Sequence, residues 1–515
     1  IDGDTDDSAA LIAALASTNE VYLPEGDILI ESGDIEIVSN KRIRTAGLAT
    51  RIVNTDPDQF DTPVLKVTGS NVEIGDLSFL GAIADQTGEW NHCVSIRPNG
   101  AAVENVKLGR LVGESIRGDV LAVEGTATHP VRKVRVGAVT GTNMYRNVVA
   151  FIGGEDIDVE SISGSQYGYR LFDVEPNAGS QRPTNIRIRN VKGANFQIAG
   201  GNLTDGVGTV TIDDVELDNA LLADNTEGYP SFPGSTGNIG AILGDFQSLT
   251  IGTLKARNFS ERLVNVGTQS FKGVIVIGNV DIDDCNTTET TFKTLFNFDT
   301  NVSLELQSGV IVLQGSDRYI AKANAGSYRF RNLKISGGCV AATAANCEFE
   351  GLTIDGTGVS DALFASITSS SFRNIVTSND SSLTFFTSCD KNTLIGCTTT
   401  AGTFNATSAT FHNFIQSSIN GVLYKHNSIE ATTAYNPGTI AAGARAKTTI
   451  TVTGAVVGDY ALASFLGTPT NASDVTISAK VTASNTVTVI MQNTGAASAA
   501  FTNDTLRAVV LKKLS

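Results

Sequence analysis

The sequence predicts an all-β fold, a right-handed parallel β-helix, on three observations. Apolar residues recur at relative positions 0, 2 and 5 about a dozen times between Asn71 and Phe414. Val72/Ile74/Leu77, Val106/Leu108/Leu111, Val134/Val136/Val139, Ile157/Val159/Ile162, Ile186/Ile188/Val191, Val210/Ile212/Val215, Leu249/Ile251/Leu254 and Ile275/Ile277/Val280 show the pattern in full. After a degraded turn at Leu304/Leu306 it resumes with Tyr328/Phe330/Leu333 and Cys347/Phe349/Leu352, then weakens to Phe372/Ile375, Leu394/Cys397 and Phe411/Phe414. Copies start 17 to 39 residues apart, as in a solenoid whose loops differ in length. The second observation is a further apolar strand between copies, and the third is composition: 51 glycines and 17% charged residues suit tight turns and strands. A spacing of 2 is a strand period, and the jump to 5 implies a corner between two short strands. With the intervening strand, each turn has three.

Taken in order, the chain opens I-D-G-D-T-D-D-S-A-A-L-I-A-A-L-A-S. Asp7 or Ser8 is placed to cap a short helix whose apolar face is Leu11, Ile12 and Leu15. The acidic run departs from a calcium loop, since the sixth position is Asp7 and the twelfth Ala13 where Gly and Glu are wanted. Ile1-Asp-Gly reads as the start of a trimmed or processed fragment, without a signal peptide. Val21-Tyr-Leu-Pro-Glu-Gly26 follows the helix.

The intervening strands include 92–97, 119–124, 147–152, 170–175, 261–266, 294–298 and 421–425. Three loops exceed the mean coil length: 80–92 with Trp90, 176–184, and 220–238 with Tyr229. Long loops on a rigid solenoid usually bind something or fill an interface, and aromatic rings suit the C–H faces of sugars. Beyond about residue 430 the ladder fades. Residues 431–438 read as a linker, and the spaced alternations at 447–454, 474–481, 486–491 and 505–510 predict a small antiparallel β-sandwich. Three segments follow: a cap helix in 1–20, the β-helix in 21–430 and the sandwich in 431–515.

D-G-x-T-D-D-[ST]-x-A, an apolar helix and V-Y-L-P-x-G together resemble the N-terminal segment of pectate-lyase-like β-helix proteins, common in bacteriophage tailspikes and capsule depolymerases. The motif covers about 30 residues and the ladder extends the likeness to roughly Glu430. The resemblance implies that the helix caps the open end of the solenoid. It implies a virion tail protein, attached to the baseplate or tail through a missing N-terminal part, that acts on a bacterial surface polysaccharide. Gly454-Ala-Val-Val-Gly-Asp-Tyr460 is similar to the C-terminal module of such spikes, which implies a homotrimer; a sugar-binding module is the alternative.

Composition narrows the partners. A net charge of −16 argues against nucleic acid, and without a run of 18 apolar residues no membrane-spanning helix is expected. Six cysteines lack a C-x-x-C pair and four histidines are scattered, so no metal site and no cofactor are expected. Cys347 and Cys397 fall at interior ladder positions and read as buried free thiols.

Alternation on the intervening strands assigns one parity to the interior and the other to solvent. The outward column is Ser95, Ala122, Ala150, Asp173, Gln197, Asn265 and Asn297, flanked by Arg97, Glu124, Ile152, Glu175, Ala199, Gly267 and Asp299. In the family resembled, this sheet borders the substrate groove. Asp173 and Glu175 lie about 6.6 Å apart between Cα atoms, and Glu124 lies about 9.6 Å from Glu175 across two coils. Inverting glycosidases place their carboxyls ~6.5–9.5 Å apart. Asp173, Glu175 and Glu124 are therefore the catalytic candidates, with Arg97, Arg170, Tyr169, Trp90 and Tyr229 binding substrate.

Residues 97–192 hold 13 of the 37 Lys and Arg against ten acids, and Arg97, Arg146, Arg170 and Arg182 fall near the groove, so an acidic sugar is an alternative substrate. A lyase would then use Tyr167, Tyr169, His92 or His129 as base. A fibre that only binds its receptor is a third reading.

Overall fold

The computed structural model describes residues 5–31, 34–54, 62–82, 90–176, 181–198, 206–218, 240–242, 246–257, 263–266, 273–286, 294–298, 302–314, 319–323, 327–357, 359, 362–378, 384–389, 392–399, 403–405, 413–415, 417–419, 422–424, 428–465, 474–501 and 504–511. Two compact units divide the chain: Ile1–Asn392 with Cys397–Thr410, and Thr393–Gly396 with Phe411–Ser515.

The first unit is a right-handed parallel β-helix. Its ladder residues pair coil to coil in register: Val72 with Val106, Val106 with Val134, Val134 with Ile157, and Ile157 with Ile186. All of these are buried. In early coils the corner splits the ladder into two strands, as in Val72–Ile74 and Leu77–Gly81; later a single strand such as Val131–Met144 runs through it. The degraded turn is a regular coil: Val302–Leu306 is followed by Gly309–Gln314, with Gly309 in the third ladder place. Gly309 has φ +136°, and an added Cβ would lie 1.9 Å from Val280 O, so only glycine fits there.

Corners are set by a feature outside the apolar pattern. Asn40, Asn71, Asn105, Lys133, Asp156 and Asn185 each have φ between +53° and +62°. Asparagine tolerates this left-handed conformation better than most residues. The amides also stack, with Asn71 Nδ2 donating to Asn40 Oδ1 and Asn105 Nδ2 to Asn71 Oδ1, both at 3.1 Å.

The intervening strands form a sheet of 15 parallel strands among the described residues, from Ile35–Ile37 to Thr403–Asn405. Val94–Ile96, Leu121–Val123, Val149–Phe151, Phe172–Val174 and Phe196–Ile198 pair in sequence, and the sheet continues through Gly240–Ile242. The interior beneath them is apolar, with Phe172 and Phe196 stacked at 5.2 Å. Cys347 and Cys397 are buried free thiols, as their ladder positions require.

Several expectations change. The helix spans Ser8–Ser17, but Ile12 is 49% exposed; only Leu11 and Leu15 of the expected apolar face are buried. Its first turn is held by Asp6, whose Oδ1 accepts the Ser8 N–H at 3.0 Å, while Asp7 makes no side-chain cap. Residues 431–435, read as linker, belong to strand Ser428–Tyr435, paired along its length with Asp504–Leu511.

The second unit also corrects the last ladder turns. Phe414 pairs with Leu394, a shift of three residues from the expected alignment of Phe411. Val422–Tyr424 is no intervening strand: it forms an antiparallel hairpin with Ser417–Ile419. The predicted sandwich is present. One sheet orders Ser428–Tyr435, Asp504–Leu511 and Tyr460–Phe465; the other orders Arg445–Thr451, Thr486–Asn493 and Val475–Ala483. Ile450, Val487, Val489, Leu506 and Val510 pack together between them.

Candidate active site

The register of the 15-stranded sheet builds the outward column as the alternation requires. Ser95 pairs with Ala122, Ala122 with Ala150, Ala150 with Asp173, and Asp173 with Gln197. Ala241 then stands between Gln197 and Asn265, a coil that the alternation passed over. The expectation that this column faces open solvent fails over these coils. Ser95, Ala122 and Ala150 are fully covered and Asp173 is 5% exposed. Small side chains in the first three places let polar neighbours close over them.

A second column stands three residues earlier, at the corner leading into each strand. His92, Asp119, Asn147 and Arg170 occupy it, and each of the first three receives the backbone N–H of the residue one coil on. Asp119 N donates to His92 Nδ1 at 2.9 Å, Asn147 N to Asp119 Oδ1 at 3.0 Å, and Arg170 N to Asn147 Oδ1 at 3.1 Å. This ladder satisfies backbone donors buried at the corner. It also brings a fully buried acid, Asp119, against the back of the site.

Asp173 and Glu175 come together with Asp119, Arg146 and Arg170. Arg146 Nη2 lies 4.0 Å from Glu175 Oε2, and Arg146 Nε 3.8 Å from Asp119 Oδ1. Asp173 Oδ1 is buried and accepts no hydrogen bond from the described residues. Burial pushes the Asp173 carboxyl well above the usual carboxylate range, and the charge of Glu175 pushes the same way. Arg170 and Arg146 pull it down and Asp119 adds a further push upward. Burial likewise raises Asp119, against the pull of Arg146 and the Asn147 hydrogen bonds. Glu175 is the more open of the pair, its side chain 27% exposed.

Glu124 is engaged elsewhere. It accepts Ser95 Oγ at 2.7 Å and lies 3.6 Å from Arg97 Nε, both partners coming from the coil before it. Arg170 donates through Nε to Gln197 Oε1 at 3.3 Å, and burial lowers its guanidinium from the usual arginine range. Arg97 is 5.8 Å from the Trp90 ring centroid, and Trp90 meets His92 edge to face at 5.8 Å. Tyr169 is half-buried, 5.9 Å from the Arg146 guanidinium and 6.3 Å from Tyr145. Arg117 lies 4.2 Å over Tyr145, which extends a band of aromatic and arginine side chains beside the carboxyls. Tyr229, Ala199, Gly267 and Asp299 lie outside the described residues. Arg182 is exposed, and none of the contacts above includes it.

The structure removes two of the four lyase bases. The Tyr167 hydroxyl is buried and accepts the N–H groups of Ala194 and Asn195 at 2.6 and 3.2 Å; burial pushes its pKa up to about 12. His92 is 1% exposed and its Nδ1 is occupied by the Asp119 N–H. Sequence reasoning missed Asp119, Arg117 and Tyr145, and placed Arg146 near the groove without giving it a role. A signal for Asp119 was present: a polar residue stands three places before Ser95, Ala122, Ala150 and Asp173 alike.

No protein-family model matches the sequence, and no curated protein matches it. Among solved structures the chain is similar to a point mutant of the tailspike protein of E. coli bacteriophage HK620 in complex with a pentasaccharide. That match has 12% identity, covers 100% of this chain and 91% of the other, and has a TM-score of 0.45. The tailspike protein gp49 from Pseudomonas phage LKA1 matches at 11% identity over 98% and 92%, with a TM-score of 0.36. The catalytic unit of a GH87 alpha-1,3-glucanase from Streptomyces thermodiastaticus matches at 17% identity over 70% and 66%, with a TM-score of 0.35. At such scores the chemistry rests on this chain's own residues.

Proposed function

We propose that the chain is a polysaccharide depolymerase that hydrolyses a glycosidic bond with Asp173 as general acid and Glu175 as general base. One observation carries this reading: a buried carboxyl, whose burial favours its protonated form, stands two residues from a more open carboxyl on the same strand face. A buried carboxyl beside a more open one suits an acid and a base at neutral pH. Asp173 donates its proton to the leaving glycosidic oxygen while Glu175 takes one from the attacking water. The Cα separation of about 6.6 Å leaves room for that water and favours inversion. Trp90, Tyr145 and Tyr169 offer ring faces to sugars, and Arg97 and Arg170 offer donors to hydroxyls or acidic groups. Glu124 orders Arg97 beside them.

The N-terminal motif and solenoid support a phage tail setting and a bacterial surface polysaccharide as substrate. The homotrimer belongs to the same reading, and a monomer mass in light scattering would remove it. The deciding experiment incubates the protein with a panel of purified capsular and O-antigen polysaccharides. New reducing ends, lost in Asp173→Asn and Glu175→Gln, are expected. Ultraviolet-absorbing unsaturated uronates would mark elimination instead, with Tyr169 beside Arg146 as base. Binding without cleavage would mark a receptor-binding fibre.

A further inference from the structure

Arg146 stands behind the carboxyl pair and is 9% exposed. Asp119 Oδ1 lies 3.8 Å from its Nε, and Asp119 is itself held by the Asn147 N–H at 3.0 Å and lies within 3.3 Å of His92 Nδ1. At the front Arg146 Nη2 lies 4.0 Å from Glu175 Oε2. A buried cation anchored nearer one of two interacting carboxyls favours the charge there and leaves the proton on the other. Arg170 favours charge on Asp173, and Arg146 does so more weakly, but the burial of Asp173 outweighs both.

We propose that Arg146 is the positioning residue that assigns roles within the carboxyl pair, holding the charge on Glu175 so that the proton stays on Asp173, with Asp119 anchoring the guanidinium. The assignment rests on the reading of this pair as acid and base. The groups facing it are Asp173, Glu175, Asp119, Arg146 and Arg170, with His92 and Cys93 behind Asp119, and Tyr167 and Tyr169 beside the arginines.

Infrared titration of the purified full chain, carrying ¹³C-carboxyl aspartate, tests it without any substrate. Labelling separates the protonated-carboxyl bands of aspartate and glutamate, and the Asp173→Asn difference spectrum identifies the Asp173 band. In the wild type the proton is expected in that band. In Arg146→Met, part of the intensity should move to the glutamate band, be lost again in Arg146→Met with Glu175→Gln, and persist to about one to three pH units higher. Arg146→Lys should restore most of the wild-type pattern. If Arg146→Met fails to fold because Asp119 is left without its cation, Asp119→Asn with Arg146→Met carries the same expectation. Identical aspartate and glutamate bands with and without Arg146 would overturn the proposal. Should the bands behave as expected while Asp173→Asn still cleaves polysaccharide, the catalytic reading fails and the electrostatic one stands.

Discussion

Replacing Asp173 by asparagine should slow cleavage and, at neutral pH, stabilise the protein. Loss of a general acid costs about 10²- to 10⁴-fold in rate, or about 2.7–5.5 kcal/mol of transition-state stabilisation. The stability effect follows from burial. Because the folded-state pKa of Asp173 is raised, its protonated form is the favoured one inside the fold. Stability linked to that proton is fully present below the unfolded value of about 3.9 and is lost as pH rises through the folded value. Asparagine keeps the shape and cannot ionise, so its advantage should be near zero in acid and should grow toward neutral pH. Each pH unit above the unfolded value should add up to about 1.4 kcal/mol to that advantage until the raised folded value is reached. Denaturant unfolding of both proteins at a series of pH values reads the difference, and reducing-end release reads the rate. A difference that is flat with pH, or a variant less stable at neutral pH, would refute the burial argument. Turnover within a few-fold of wild type would refute the catalytic role.

Three further substitutions test the scaffold. Phe172→Ala empties one member of a stacked pair at 5.2 Å directly beneath Asp173, and should cost about 3–5 kcal/mol in denaturant unfolding. Tyr167→Phe removes the acceptor of two buried N–H groups and should cost about 1–3 kcal/mol for each one left unpaired, seen as a lower denaturation midpoint. Lys133→Asn places a residue suited to φ +56° between Asn105 and Asp156, and should raise stability by about 0.5–1.5 kcal/mol. The exposed Lys133–Glu104 pair at 3.7 Å that it removes is worth little.

The ladder was legible because burial inside a solenoid depends on alternation alone, which a single strand carries within a few residues. Its one apparent gap was Gly309, where a coil above approaches too closely for any side chain. Register beyond Leu394 was not legible, since Phe411 and Phe414 offer two apolar alignments and only pairing chooses between them. The asparagine corner was readable and overlooked: Asn71, Asn105 and Asn185 each immediately precede a ladder start. In the site, the outward column and the Asp173/Glu175 pair followed from parity. The cover over Ser95 and Ala150 did not, because it depends on side chains that reach across coils.

The residues that sequence reasoning missed link the corner ladder to the proposed carboxyl pair. Asp119 serves the fold by accepting the Asn147 N–H, as His92 and Asn147 serve the corners on either side. Asparagine could fill that place, as it does at position 147, with no charge to bury. An aspartate there brings a buried acid that must be balanced, and Arg146 is the cation within 3.8 Å of it. The same guanidinium reaches Glu175 on the other side. A structural ladder position is thus linked to the proposed acid–base pair through the buried Arg146. Asp119→Asn should therefore preserve the corner while loosening Arg146, so its effect should appear in the protonation of Asp173 and Glu175 more than in stability.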